Sequence, residues 1–335
     1  MTTRTIIIAE AGVNHNGDMD MAREMVRTAR RAGADYVKFQ TAVPELVISS
    51  IAPKAAYQEE TTGSGESQLD MCRRIHLPLS AYTQLADLCH SEGIGFMSTP
   101  FDLVSIDTLV PLDMDWWKIP SGEITNLPYL RRIARLCRPV IMSTGMSTIP
   151  EITRAMEILT SYGLDSSHIA LLHCNTQYPT PMADVNLRAM EALRAITRGP
   201  VGYSDHTAGI EVPIAAVAMG AQIIEKHFTL DKSLPGPDHK ASLDPDELTA
   251  MIRAIRNIEQ ALGSPVKQPS PSETPNIEIA RKSIVAARDI KAGEVFSPEN
   301  ITVKRPGGGL SPMMWDSVIG LTATRDFEYD QLITI

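Results

Sequence analysis

Eight times along the chain a short strand-forming run ends in polar residues able to do chemistry. Ile6-Ile7-Ile8 leads to Glu10, Tyr36-Val37 to Lys38 and Gln40, and Gly95-Phe96-Met97 to Ser98 and Thr99. Trp116-Trp117 leads to Lys118, Ser121 and Glu123, and Val140-Ile141-Met142 to Ser143 and Thr144. Ile169 to Leu172 precede His173, Asn175 and Thr176; Val201 to Tyr203 precede Ser204 and His206; Ile223-Ile224 precede Glu225 and His227. Helix-period segments separate the runs, and strand–helix alternation of this kind predicts βαβ units around a parallel sheet. Eight units make a (β/α)8 TIM barrel, which gathers the strand ends around one mouth where barrel enzymes keep their active sites. The pattern therefore predicts an enzyme.

The helix boundaries are marked locally. Met19 to Ala32 puts Met21, Met25, Val26 and Ala29 on one face, with Asp18 as N-cap and Gly33 as stop. Ser80 is placed to cap a helix over residues 81–90, Pro150 to start one over 149–162, and Asp244 to open one ending at Leu262. The interval from Thr41 to Pro78 is too long for a simple connection, and its polar stretch IAPKAAYQEETTGSGESQ reads as a loop covering the mouth.

With 335 residues, the chain fits one barrel plus a small extra domain. The division expected is a catalytic barrel over residues 1–263, a Pro/Ser-rich linker over 264–276, and a compact unit of short strands and turns over 277–335. The absence of an apolar stretch of 18 residues or of a signal sequence points to a cytoplasmic protein. Cys72, Cys89, Cys137 and Cys174 show no CxxC spacing and read as free thiols, Cys174 mainly as packing. A net charge of −9 without a basic stripe argues against nucleic acid as partner.

The mouth itself carries the chemistry. His206 and His227 end adjacent strands, and Glu225 shares a strand face with His227, so two imidazoles can converge on a divalent ion such as Mn2+. Hydrogen bonding inside a polar mouth explains the same histidines without a metal. Lys38 and Lys118 are costly to bury unpaired, so two of them aimed at one cavity call for an anion, held also by Thr99, Ser121, Ser143 and Ser204. A Schiff-base lysine of the aldolase kind is the competing reading. Glu10, Glu123 and Glu225 supply carboxylates for proton transfer or substrate hydroxyls.

The motifs IIIAEAGVNHNGD, YVKFQT, STPFD, WKIPSGE, STGM, LLHCNTQYPTP, YSDHT, IEKHFTLDK, GPDH and VKRPGGG occur in order, and together the chain resembles the sialic acid synthase family. That resemblance implies a TIM barrel followed by an antifreeze-like (SAF) domain. It implies condensation of phosphoenolpyruvate with N-acetylmannosamine or a 2,4-diacetamido-2,4,6-trideoxymannose, giving a nine-carbon 2-keto acid and phosphate. By the same resemblance His206 and His227 hold the metal, Mn2+ before Mg2+ or Co2+, and Lys38, Lys118, Thr99, Ser121, Ser143 and Ser204 hold phosphoenolpyruvate. Glu10, Tyr178, Asp238 and Arg305 handle the sugar, with Glu10 and Glu225 moving protons. The order Asn175-Thr176 departs from members with Thr-Asn, which leaves open which of the two contacts phosphoenolpyruvate. The family pattern also implies a domain-swapped homodimer in which Arg305 completes a neighbour's site. The competing readings are a Schiff-base sialic acid lyase and a non-enzymatic carbohydrate-binding protein.

Overall fold

The computed structural model describes residues 4–63 and 65–335. They form two units that meet between Gly263 and Ser264. In the first, the eight runs are eight parallel strands: β1 (Ile6–Gly12), β2 (Tyr36–Thr41), β3 (Gly95–Pro100), β4 (Trp117–Ile119), β5 (Val140–Ser143), β6 (Ile169–His173), β7 (Val201–Asp205) and β8 (Ile223–His227). Their order is β3-β2-β1-β8-β7-β6-β5-β4, with helices between them. Among the described residues no ladder joins β3 to β4, so this is a nearly closed TIM-type barrel, as the alternation predicts.

Side-chain alternation explains where the mouth residues go. Ile7, Ala9 and Ala11 of β1 turn outward into the main core beneath the helices, whereas Ile8 turns inward. There it meets Met97, Ile141, Ala170, Leu172 and Ile223 in an apolar layer that fills the barrel. Two residues further along each strand stands a polar side chain on the same inner face: Glu10 after Ile8, Thr99 after Met97, Ser143 after Ile141, Glu225 after Ile223. The floor is dry, and the storey above it carries the charges.

The helix signals act locally as expected in most cases. Asp18 accepts hydrogen bonds from the Asp20 and Met21 amides at the start of Met19–Ala32, and Gly33 ends that helix at φ +90°. Asp244 caps Pro245–Leu262 through the Glu247 amide. Ser80 precedes Ala81–Glu92 but makes no side-chain cap. The expected mouth loop instead contains three short helices, Pro44–Val47, Ala56–Thr62 and Gln68–Ile75. The last is stabilised by Ser67 accepting from the Asp70 amide and by Met71 and Ile75 packing on Val13. Apolar side chains at four-residue spacing within a polar stretch were enough to fold it.

The second unit pairs β9 (Ser283–Ala286) with β10 (Ile301–Lys304) in antiparallel register around its own core, including Ile284, Phe296, Phe327 and Ile333. A helix, Thr274–Ala280, begins inside the stretch read as linker, with proline in its first turn. All four cysteines are free thiols. Among the described residues no helix is long and apolar enough to cross a membrane.

Candidate active site

The strand ends enclose a cavity of about 450 Å³, within the range usual for ligand sites. Its floor is a four-membered charge cluster. Lys38 Nζ lies 2.8 Å from Glu10 Oε2 and 3.6 Å from Glu225 Oε2, and Lys118 Nζ lies 3.5 Å from Glu225 Oε1. Hydroxyls complete the donors and acceptors: Lys38 donates to Thr99 Oγ1 at 2.9 Å, Lys118 to Ser143 Oγ at 2.8 Å, and Ser204 to Glu225 Oε1 at 3.0 Å. Each of these groups is almost fully buried. Two ammonium groups are thus held in low dielectric by only two carboxylates.

The two glutamates are pushed apart in acidity. Burial, reinforced by the neighbouring Glu225 charge, raises Glu10 to about 7 against the pull of Lys38. Glu225 is equally buried, but the ammonium groups of Lys118 and Lys38 outweigh burial and hold its carboxyl below the usual range. Burial lowers Lys118, whereas for Lys38 the attraction of Glu10 and Glu225 overcomes burial and raises it. Of the two carboxyls Glu10 is the one that holds a proton more readily, and the two lysines that converge on the cavity offer N–H donors to an incoming anion.

His206 and His227 line one side of the cavity with ring centroids 5.5 Å apart. Burial holds both imidazoles neutral, His206 at about 4 and His227 well below its ordinary value. His206 Nδ1 faces the Asn175 carbonyl, which leaves Nε2 as the atom that accepts from the Tyr178 hydroxyl at 2.9 Å. Nδ1 of His227 is buried without a hydrogen-bond partner, 4.0 Å from Asp238 Oδ2. Neutral rings with available lone pairs suit a divalent cation. Among the described residues no three His, Cys, Asp or Glu side chains group as a fuller set of metal ligands.

Of the residues expected at the site, Glu10, Lys38, Thr99, Lys118, Ser121, Ser143, Thr176, Tyr178, Ser204, His206, Glu225 and His227 line the cavity. Glu123 does not; it is half-buried beside Asn126 and accepts from that amide at 2.6 Å. Asn175 contributes its carbonyl to His206, while its side chain accepts from the Gln177 amide. Asp238 stands behind His227, buried, with its carboxyl raised to about 6. Arg305 belongs to the second unit, exposed, donating to the Ala280 carbonyl at 3.1 Å. Cys174, read mainly as packing, does line the cavity beside Ser121; burial raises its thiol, so it is no ready nucleophile.

Residues absent from the expected set also line it. Gln40 donates to Glu10 Oε1 at 3.1 Å, and strand parity with Lys38 would have found it. Gln58, Gln68, Phe101 and Met146 form part of the rim; Phe101 and Met146 fall in the STPFD and STGM motifs and the glutamines in the stretch read as a cover, but none was assigned a role.

A TIM-type barrel whose mouth joins two lysines, two unlike glutamates and two neutral imidazoles is an enzyme site for an anionic substrate. The NeuB family pattern matches residues 25–267, and the SAF domain pattern matches residues 281–335. The chain belongs to the NeuB family, as the sequence motifs imply. It is 50% identical over 330 residues to N,N'-diacetyllegionaminic acid synthase of Campylobacter jejuni, spanning 98% of this chain and 99% of that one. It is 46% identical to the enzyme of the same name from Legionella pneumophila, over 94% and 89% of the two chains. Among solved structures it resembles N-acetylneuraminic acid synthetase from Leptospira borgpetersenii with TM-score 0.71 and 34% identity, over 83% of this chain and 91% of that one.

Proposed function

We propose that this enzyme condenses phosphoenolpyruvate with a 2,4-diacetamido-2,4,6-trideoxymannose, giving N,N'-diacetyllegionaminate and phosphate. The observation that carries the reading is the buried cluster in which Lys38 and Lys118 converge with Glu10 and Glu225 on one cavity. It lies in a chain alike from end to end to two diacetyllegionaminate synthases.

Lys38 and Lys118, with Thr99, Ser121, Ser143 and Ser204, bind the phosphate and carboxylate of phosphoenolpyruvate through charge-assisted hydrogen bonds. The new C–C bond joins C3 of the enol ester to the aldehyde carbon of the acceptor. Glu10, protonated below about pH 7, gives its proton to the acceptor's carbonyl oxygen. Water adds to C2, Glu225 accepts its proton, and the C–O bond to phosphate breaks to leave the 2-keto acid. Two carboxyls with divergent acidity in one pocket divide the acid and base roles in this way.

His206 and His227 are the residues that would hold a divalent metal, Mn2+ foremost, and it would supply Lewis-acid polarisation of the acceptor's carbonyl. The unpartnered Nδ1 of His227 supports that pairing, and a metal at His206 Nε2 would take the place of the Tyr178 hydroxyl now bonded there. Tyr178, which lines the cavity against these rings, orients the acceptor's hydroxyls, and Asp238 behind His227 positions that ring. In a homodimer the exposed Arg305 of the partner subunit would complete the acceptor site. Mixing inactive Arg305→Ala chains with inactive Glu10→Ala chains then restores turnover; no recovery contradicts the exchange.

The proposal is tested by incubating the protein with phosphoenolpyruvate and the diacetamido acceptor, following phosphate and the nine-carbon product together. Phosphate without the sugar acid, or neither, overturns it. Borohydride trapping with pyruvate addresses the lyase alternative, which alone leaves a covalent adduct on lysine.

A further inference from the structure

The cavity changes character from floor to rim. Every Lys, Glu and His that lines it is buried, whereas the partly exposed lining is uncharged. Near that rim lie Gln58 and Gln68, from two of the mouth helices, together with Phe101 and Met146, the last 74% exposed. Gln58 Oε1 is committed to the Ala55 amide at 3.1 Å, so its remaining polar capacity is the amide N–H pair. Among the described residues the Gln68 side chain has no hydrogen-bond partner, leaving both a donor and an acceptor. The free amide of Gln68 and the free N–H pair of Gln58, lining the same cavity as an aromatic ring and a thioether, match the parts of a neutral acylamino group. The carbonyl needs a donor, the N–H needs an acceptor, and the methyl needs apolar contact.

We infer that Gln58 and Gln68, with Phe101 and Met146, recognise a second acylamino substituent on the acceptor, the one remote from its aldehyde. This rests on the proposed condensation, because the buried charges fix the anionic enol ester at the floor and turn the far end of the acceptor toward the rim. Selection works by the usual asymmetry: a site built for an amide rejects a hydroxyl analogue because its own polar groups are then left unpaired. The short helices Ala56–Thr62 and Gln68–Ile75 are thus a specificity element as well as a cover.

The test compares kcat/KM for 2,4-diacetamido-2,4,6-trideoxymannose and for N-acetylmannosamine in wild type, Gln58→Ala, Gln68→Ala and the isosteric Gln68→Glu. Expected is a fall of at least tenfold for the diacetamido acceptor in each variant. The N-acetylmannosamine value and the KM for phosphoenolpyruvate should stay within twofold, and the thermal midpoint should be unchanged. Gln68→Glu keeps shape and packing, so its loss on the diacetamido acceptor alone assigns the effect to the amide. Equal losses on both acceptors, or none, overturn the inference. A wild-type protein inactive with both acceptors overturns instead the condensation on which it rests.

Discussion

Glu10 and Lys38 are register partners on β1 and β2, and their charges meet 2.8 Å apart inside the barrel mouth. Ser204 and Glu225 repeat the relationship across β7 and β8, at 3.0 Å. The cluster is therefore built by the sheet itself: parallel register brings strand-end residues level, and the pleat turns them inward.

Glu10 sets a pH limb. With its carboxyl raised to about 7, the group is an acid below that value and loses its proton above it. If it donates to the acceptor, kcat/KM declines as pH rises through about 7, since that parameter reports the free enzyme. Glu10→Gln should be much slower and flat over the same range. An unchanged alkaline limb in that variant would assign the proton elsewhere.

Buried neutral histidines make the fold sensitive to acid. Burial lowers both His15 and His239 from 6.5 to about 4. The stability they contribute is complete above 6.5, where folded and unfolded rings are both neutral. It is lost as pH falls toward 4, because the unfolded chain binds protons first. Each contributes a slope of up to ~1.4 kcal/mol per pH unit in that window. Urea unfolding at stepped pH should show His15→Gln with a shallower decline than the parent.

A second charged pair on the same strands belongs to the scaffold. Lys226 Nζ lies 2.6 Å from Asp205 Oδ2, both fully buried, one residue out of phase with the pocket and so facing away from it. Lys226→Ala leaves the buried Asp205 carboxylate without its cation, with only Thr207 still donating to it, and should cost roughly 3–5 kcal/mol. The double change Asp205→Leu with Lys226→Met should recover most of that. Denaturant midpoints measure both, and an additive double variant would refute the pairing.

The proposed pairing of His206 and His227 on a metal has a direct test. Chelator-treated protein should lose turnover and regain it with Mn2+. Calorimetric titration of Mn2+ should show binding weakened at least tenfold in His206→Ala, since loss of even an outer-shell partner costs about 10–100-fold. Full turnover in chelator would remove the assignment.

Much of this was written in the chain itself. The eight strand-forming runs, each followed by polar residues, announced the barrel, because strand formation and its period-two pleat are legible in local sequence. The same parity placed Glu10, Lys38, Lys118 and Glu225 on the inner face and would have added Gln40. Tertiary structure alone decided the rest. The helix Gln68–Ile75 offers a locally legible four-residue apolar spacing, but its partner Val13, more than fifty residues away, is supplied only by the fold. The divergence of Glu10 and Glu225 arises from how two ammonium groups divide between them in a dry cavity. Acidity of that kind depends on distance and burial, and these exist only once the chain has closed into a barrel.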